Sequence, residues 1–358
     1  MSAADGMNYA PVGKPAPVCK AGEFVFAATH LDHGHIHGQC NGLAEAGGTL
    51  KWVYDPDPAK VAQLLQKHPS AIAARSLEQI LEDPSVQLVA AAAIPNLRGP
   101  LGCEVLRAGK DYFTDKTPFT TLAQLQEAKK AVVETGRKYM VYFSERLHVE
   151  CAVHAGILIN EGLIGRVVQT LGTGPHRLSA PTRPGWFFDH EQYGGILCDI
   201  GSHQCEQFLY YTGAKDATIA ASSVGNFANP EYPGLEDFGE CSLIADNGAS
   251  GYFRIDWLTP KGLGTWGDGR MVILGTTGYI ELRKYTDVAT ENGGDQLILV
   301  NEEGEKRIPC AGKVGYPFFG QMILDSLNRT ETAMTQTHIF KAAELCLLAQ
   351  QNARILTA

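Results

Sequence analysis

The chain has 358 residues, 44% hydrophobic and 19% charged, with a formal net charge of -9. That length exceeds the range over which one core keeps growing, and the apolar content excludes a disordered chain, so two folded domains are expected. The negative balance contains no basic run, which excludes a phosphate-tracking surface and hence nucleic acid as a partner. No stretch reaches the ~20 apolar residues that span a bilayer, and the N-terminus has no signal pattern, so no membrane partner is expected. Nine scattered cysteines without a C-x-x-C pair suit reduced thiols in a cytoplasmic protein.

Residues 1–22, with Pro11, Pro15 and Pro17, read as an extended N-terminal arm. From residue 23 short apolar runs alternate with helical stretches, the pattern of β-α-β units and a parallel sheet. Strands are predicted at Phe24 to Ala28, Leu50 to Tyr54, Leu88 to Ala93, from Tyr112, and at Tyr139 to Phe143. Helices are predicted at Ile36 to Ala46, Pro58 to Lys67, Leu77 to Leu81, Pro100 to Ala108 and Leu122 to Thr135, the last two closed by Gly109 and Gly136. This gives a Rossmann-like domain over 23–145. A helix from Val149 to Glu161 then opens a second domain, 146–358, whose strands include Val167 to Leu171, Ala217 to Val224, Cys241 to Ala245 and Gly251 to Trp257. Turn signals at Asp246-Asn247-Gly248 and Gly275-Thr276-Thr277-Gly278 predict a large, mostly antiparallel sheet, and a helix over 338–355 is expected to pack back. The fold class is thus α/β, a parallel-sheet domain followed by an α+β domain.

The loop after the first strand, THLDHGHIHGQCNG, lacks the G-x-G-x-x-G that lets a backbone approach a pyrophosphate; His30, Asp32 and His35 stand where the three glycines would align. The helix start still offers N–H groups to a phosphate, with His30, Asp32, His33, Gly34, His35 and Ile36 as candidate contacts. His30, Asp32, His33, His35 and His37 also supply possible metal ligands, but a helix beginning near Gly34 keeps only His33 and His37 on one face, and no metal is expected. Asp55 ends the second strand, where an acid accepts hydrogen bonds from ribose hydroxyls and repels a 2′-phosphate; this favours NAD and leaves NADP possible. Turn chemistry in Asp55-Pro56-Asp57-Pro58 is the competing reading. Lys116 sits at a strand end, where an ammonium can reach a substrate oxygen and would line the cofactor crevice with residues 30–38, Asp55, Pro95 and Asn96; a surface lysine on a loop is the competing reading. Asp199 and His203 are four apart, which on a helix places both on one face, either as a pair with His203 as base and Asp199 as its support or as a capping aspartate with an ordinary histidine one turn later.

Three segments carry a resemblance: AGKDYFTDKTPFTTLAQLQ at 108–126, GGILCDIGSHQCEQFLYYTG at 194–213 and LGTTGYIEL at 274–282. Their order and separation resemble the glucose-fructose oxidoreductase/inositol dehydrogenase/MocA (Gfo/Idh/MocA) family. The first is similar to its strand ending in Glu-Lys-Pro, the second to its glycine pair, Asp and His, the third to the strand that ends its substrate sheet. Thr117 takes the usual proline place. Pro95 and Asn96 resemble the cofactor-contacting Thr-Pro-Asn turn, with Ile94 for the Thr. The resemblance implies NAD(P)-dependent oxidation or reduction of a CH–OH group in a sugar, cyclitol or related polyhydroxy compound. Lys116, Asp199 and His203 would be catalytic, with catalysis where the two domains meet. Arg146, His176, Arg177 and Trp186 are further candidates for substrate contact, and a homo-oligomer, dimer or tetramer, is expected. Two alternatives stay open: a redox-cycled lyase or glycosidase using tightly bound NAD, with Tyr193 or His190 as an extra base, and a non-catalytic ligand-binding relative.

Overall fold

The computed structural model describes residues 6–291 and 293–357. The described residues form two compact units, one of residues 7–142 with 316–340, the other of residues 6, 143–291, 293–315 and 341–357. Residues 316–340 thus return to the first unit, which a continuous division at 146 does not anticipate.

The first unit contains β1 (Val25–Thr29), α1 (His35–Glu45), β2 (Thr49–Tyr54), α2 (Pro58–Lys67), β3 (Ile72–Ala73), α3 (Leu77–Glu82), β4 (Leu88–Ala91), α4 (Pro95–Arg107), β5 (Asp111–Asp115), α5 (Leu122–Thr135) and β6 (Tyr139–Tyr142). All strands are parallel, in the order β3-β2-β1-β4-β5-β6. Every residue of β4, β5 and β6 is buried, as expected for a parallel sheet covered on both faces. Helix starts follow local chemistry: the Asp57, Ser76 and Thr121 side chains accept N–H groups of the first turns of α2, α3 and α5. Helix α4 starts at Pro95, five residues before the expected start. Pro100 inside it cannot donate to the Asn96 carbonyl, and Gln124 Nε2 does so instead at 2.8 Å.

The second unit begins with α6 (Ser144–Leu147), α7 (Glu150–Asn160) and β7 (Val167–Pro175), followed by α8 (His190–Tyr193), α9 (Ile196–Asp199) and α10 (Gly201–Thr212). Its further strands are β8 (Ala217–Gly225), β9 (Phe238–Ala245), β10 (Ser250–Asp256), β11 (Arg270–Gly275), β12 (Gly278–Arg283), β13 (Gln296–Asn301) and β14 (Gly304–Pro309). After α11 (Pro317–Asn328) in the first unit come α12 (Gln336–Gln351) and β15 (Arg354–Leu356). The nine strands run β14-β13-β12-β11-β7-β10-β9-β8-β15, antiparallel except at β7–β10 and β8–β15. Segment 274–282 therefore does not end the sheet: β13 and β14 extend it, Leu297 and Leu299 joining a core with Ile280, Leu282 and Ala155. The last helix stops at Gln351, and Ile355, expected to be helical, lies in a strand paired with β8.

Among the described residues no helix is long and apolar enough to cross a membrane.

Candidate active site

In the first unit the strand order turns back on itself between β1 and β4, and open α/β sheets take ligands beyond the carboxyl ends at such a point. There the His33 N–H donates to the Ala92 carbonyl at 3.0 Å, and the Ala92 N–H to His30 at 3.1 Å. His30 has φ 49°, a left-handed conformation unusual outside glycine. Asp55 directly follows β2 and holds the loop: its Oδ2 accepts from Leu31 N–H at 2.6 Å and its Oδ1 from Asp57 N–H at 2.9 Å. Each oxygen keeps a second lone pair. Lys60 Nζ lies 2.7 Å from Asp32 and 3.7 Å from Asp55.

Gly34 caps α1 without a side-chain hydrogen bond to the helix start, and a Cβ there would lie 2.5 Å from Asn8 Oδ1 and 2.6 Å from the Met7 carbonyl oxygen. A cavity of about 180 Å³ opens beside it, lined by residues including Leu31, Asp32, Gly34, His37 and Lys60. Ile36 is buried in the first turn of α1, and Pro95 and Asn96 open α4. An acid just past β2 and a crevice where the strand order reverses together fit a dinucleotide even without the glycine fingerprint, while the first N–H groups of α1 are taken within the loop, His35 by the His33 ring, Ile36 by the His33 carbonyl and His37 by the Gly34 carbonyl.

The rings of His33 and His35 turn inward. His35 Nδ1 lies 2.9 Å from Asp115 Oδ1 and His33 Nδ1 3.4 Å from Oδ2, while the His35 N–H donates to His33 Nδ1 at 3.2 Å. Ligand atoms of the three residues lie within 4.8 Å of one another, the spacing of a metal cluster. Arg98 Nη2, however, already donates to Asp115 Oδ2 at 3.2 Å, so a dication would share its carboxylate with a fixed buried cation. Burial pushes the His33 imidazole well below its ordinary range. Burial also works against ionisation of Asp115, but His35, Arg98 and His33 outweigh it and hold the carboxyl well below its usual value. Lys116 is the next residue, only 5% exposed, and its peptide bond to Thr117 is cis.

In the second unit Asp199 and His203 are both buried, but not on one continuous helix. Asp199 closes α9 and His203 belongs to α10, with Ile200 between them in helical conformation. Beside α10 lies a charged group the sequence did not reveal. Glu145 Oε2 accepts from Lys284 Nζ at 2.9 Å, Gln204 Nε2 at 3.0 Å and Gln207 Nε2 at 3.4 Å, and Lys284 also donates to Gln207 Oε1 at 2.6 Å. Burial opposes the charge on Glu145, yet Lys284, His203 and His176 hold its carboxyl at about 2. Partners lying 59 to 139 residues away leave no local signature of this cluster.

Of the four residues expected to meet substrate, two are committed elsewhere. Arg146 is buried against Glu206, with Nε 2.7 Å from a carboxylate oxygen, and stacks over the Tyr210 ring at 3.8 Å. Arg177 donates to the carbonyls of Pro260, Leu263 and Thr265, tying down a loop. His176 packs between Trp257 and Trp266, with ring distances of 5.3 and 4.6 Å, and Trp186 is half-buried beside Phe187. The Tyr193 hydroxyl accepts the Glu236 N–H at 3.0 Å, and burial pushes its pKa well up, which disfavours it as a base. His190 is half-exposed beside Glu236.

Comparisons with known proteins agree with this architecture. The model of the oxidoreductase family with NAD-binding Rossmann fold matches residues 21–143, and that of the Gfo/Idh/MocA C-terminal domain residues 153–281. A crystal structure from Erwinia carotovora atroseptica SCRI1043, assigned as an oxidoreductase, is 50% identical with a TM-score of 0.90, covering 94% of this chain and all of that one. D-xylose dehydrogenase of Paenarthrobacter nicotinovorans is 27% identical over 40% of this chain and 38% of its own length. The scyllo-inositol 2-dehydrogenase (NAD(+)) of Bacillus subtilis strain 168 is 26% identical over 69% of this chain and 70% of its own. The chain belongs to the Gfo/Idh/MocA oxidoreductase family and carries its NAD-binding Rossmann domain.

Proposed function

We propose that the protein oxidises and reduces a CH–OH group of a sugar, cyclitol or related polyhydroxy compound with NAD(H). The observation that carries this reading is the burial of acid-base residues in both units: Lys116 at the carboxyl end of β5, and Asp199 and His203 at the α9–α10 junction, none more than 8% exposed. A module that only binds has no need of such a set. Bound NAD supplies the hydride acceptor. Lys116 donates a hydrogen bond to the reacting oxygen, and His203 takes the hydroxyl proton as the carbonyl forms; without that loss positive charge would build on the carbon. Asp199 supports the charged imidazole. His176 and Trp186 remain candidates for hydroxyl and ring contact, since the guanidinium groups of Arg146 and Arg177 are engaged. Asp55 favours NAD over NADP.

The open face of the nine-stranded sheet supports a homo-oligomer. Leu171, Ile244, Tyr252, Leu274 and Tyr279 share that face by register and are each more than a third exposed, whereas the intervening residues are buried. A monomer by light scattering at micromolar concentration would contradict it.

Calorimetric titration with NADH and NADPH, followed by NAD reduction with D-xylose and scyllo-inositol, tests the function. Saturable NADH binding with NADH accumulating during turnover is expected. Failure of nucleotide-free protein to bind either nucleotide overturns the reading, and product without net NADH would point to redox cycling.

A further inference from the structure

We propose that Arg98 and His35, meeting on the Asp115 carboxylate, are positioning residues that hold the Lys116 turn against the start of α1. The inference rests on the reading of Lys116 given above. Arg98 is 1% exposed in the first turn of α4, and its guanidinium is spent on four acceptors. Nε donates to the Ala93 carbonyl at 2.7 Å, Nη1 to the carbonyls of Lys116 and, at 3.2 Å, Thr117, and Nη2 to Asp115 Oδ2 at 3.2 Å. Three of the four acceptors belong to the turn that carries the lysine; the fourth fixes that turn to the residue chain beyond β4. A rigid planar fork of donors does this, and a lysine ammonium, a point charge on a flexible stem, does not reproduce it.

The remaining carboxylate oxygen of Asp115 faces His35 Nδ1 at 2.9 Å, in the first helical residue of α1. The His35 N–H in turn donates to the His33 ring. A continuous line of hydrogen bonds therefore runs from the α1 start through His35, Asp115 and Arg98 to the backbone carbonyl of Lys116. It also accounts for one of the two histidines that stand in place of the glycine fingerprint: His35, together with its neighbour His33, points into the protein, toward Asp115. Stability alone is a poor reason for the arrangement, because a buried ion pair is often no more stabilising than apolar residues of similar volume. What the fork supplies is geometry, and ~1 Å of displacement of a reacting group can cost ~100-fold in rate.

The experiment compares Arg98→Ala, Arg98→Lys, His35→Asn and His35→Phe for melting temperature, NADH dissociation constant and kcat and KM with scyllo-inositol. It also follows the rate at which acetic anhydride labels Lys116, read by peptide mass spectrometry in protein without substrate. Expected are a ~10- to 100-fold fall in kcat for Arg98→Ala and Arg98→Lys, with KM and NADH affinity unchanged. Lys116 labelling should change in parallel, and millimolar guanidinium should restore both in Arg98→Ala. His35→Asn, which keeps a donor near the Nδ1 position, should retain activity that His35→Phe loses. Wild-type kcat and labelling in a natively melting Arg98→Ala overturn the proposal. So does a loss that tracks only the melting temperature and that neither guanidinium nor His35→Asn rescues. If Arg98→Ala does not fold, the His35 pair decides from the other end of the line. If the wild type turns over no polyol, the proposed function fails, and labelling alone then decides for or against the positioning role.

Discussion

Each unit keeps an ionised carboxylate inside, and the two surround it differently. Asp115 in the first unit is met by a guanidinium and two imidazoles, and the guanidinium also holds backbone carbonyls, so the charge is built into a turn. Glu145 in the second unit is met by an ammonium and two side-chain amides, Gln204 and Gln207 of α10, so the charge is built into the face of the helix that carries His203. The first arrangement specifies where the chain goes. The second specifies how a helix face is charged, through one ammonium and two neutral amides.

The largest expected difference is in turnover. Lys116→Ala and His203→Ala should each lower kcat by about two to four orders of magnitude, the range for loss of a positioned proton-transfer group. Asp199→Asn, acting through His203, should lose less. NADH affinity should change little in the three variants, which separates this effect from loss of the cofactor domain. Full activity in Lys116→Ala would remove the lysine from the mechanism and with it the significance of the turn.

Next comes stability of the second unit. Lys284→Met leaves Glu145 as a buried charge without its cation, and removing one partner of a buried pair typically costs ~3–5 kcal/mol. Glu145→Gln leaves the Lys284 ammonium in the same position, with a comparable loss. The double variant should recover much of it, because uncompensated charge rather than the pair itself is the source of the cost. Denaturant unfolding of the four proteins reads this out, and additive losses in the double variant would show that the two groups do not stabilise one another.

The same contrast explains what could be read from the sequence. The buried runs of β4 and β5, and the capping residues Asp57 and Thr121, act through neighbours in the chain, so pattern alone locates those elements. The strand β14 escaped because nearly all of its residues are exposed, which removes the alternation by which strands are recognised. Lys116, Asp199 and His203 stood out by motif, whereas Arg98 and Glu145 acquire their meaning only from partners brought together by folding. Arg146 misled for the same reason: an arginine beside a predicted cleft is a plausible sugar contact until Glu206, 60 residues on, is seen to hold it. Gly42 shows the converse, a helical glycine with no local reason. A Cβ there would lie 2.4 Å from the Phe319 ring on α11, and Gly42→Ala should destabilise the first unit by ~1–3 kcal/mol in the same unfolding assay.

The smallest expected effect separates the units by pH. In the first unit burial, with Lys67 and His68 adding to it, pushes the His37 imidazole down to about 4, and burial lowers His30, His33 and His68 as well. A histidine whose folded pKa lies below its unfolded value near 6.5 is held neutral by the fold, while the unfolded chain takes up a proton. Stability from these groups is therefore full above ~6.5 and falls as pH drops through the window toward ~4. In the second unit His190 has the opposite sign: its hydrogen bond to Glu236 outweighs burial and raises its pKa, so its contribution is present below ~6.5 and lost as pH rises. Glu145, held at about 2 against an unfolded value near 4.5, keeps its contribution until pH falls below ~4.5. Between pH 6.5 and 4.5 the first unit should thus lose hydrogen-exchange protection while the second does not. Several of the histidines are partly exposed, so solvent moderates the loss, and His37→Asn should remove part of it. Equal loss of protection in both units over that window, after correction for the intrinsic exchange rate, would mean that the buried imidazoles of the first unit do not set its acid response.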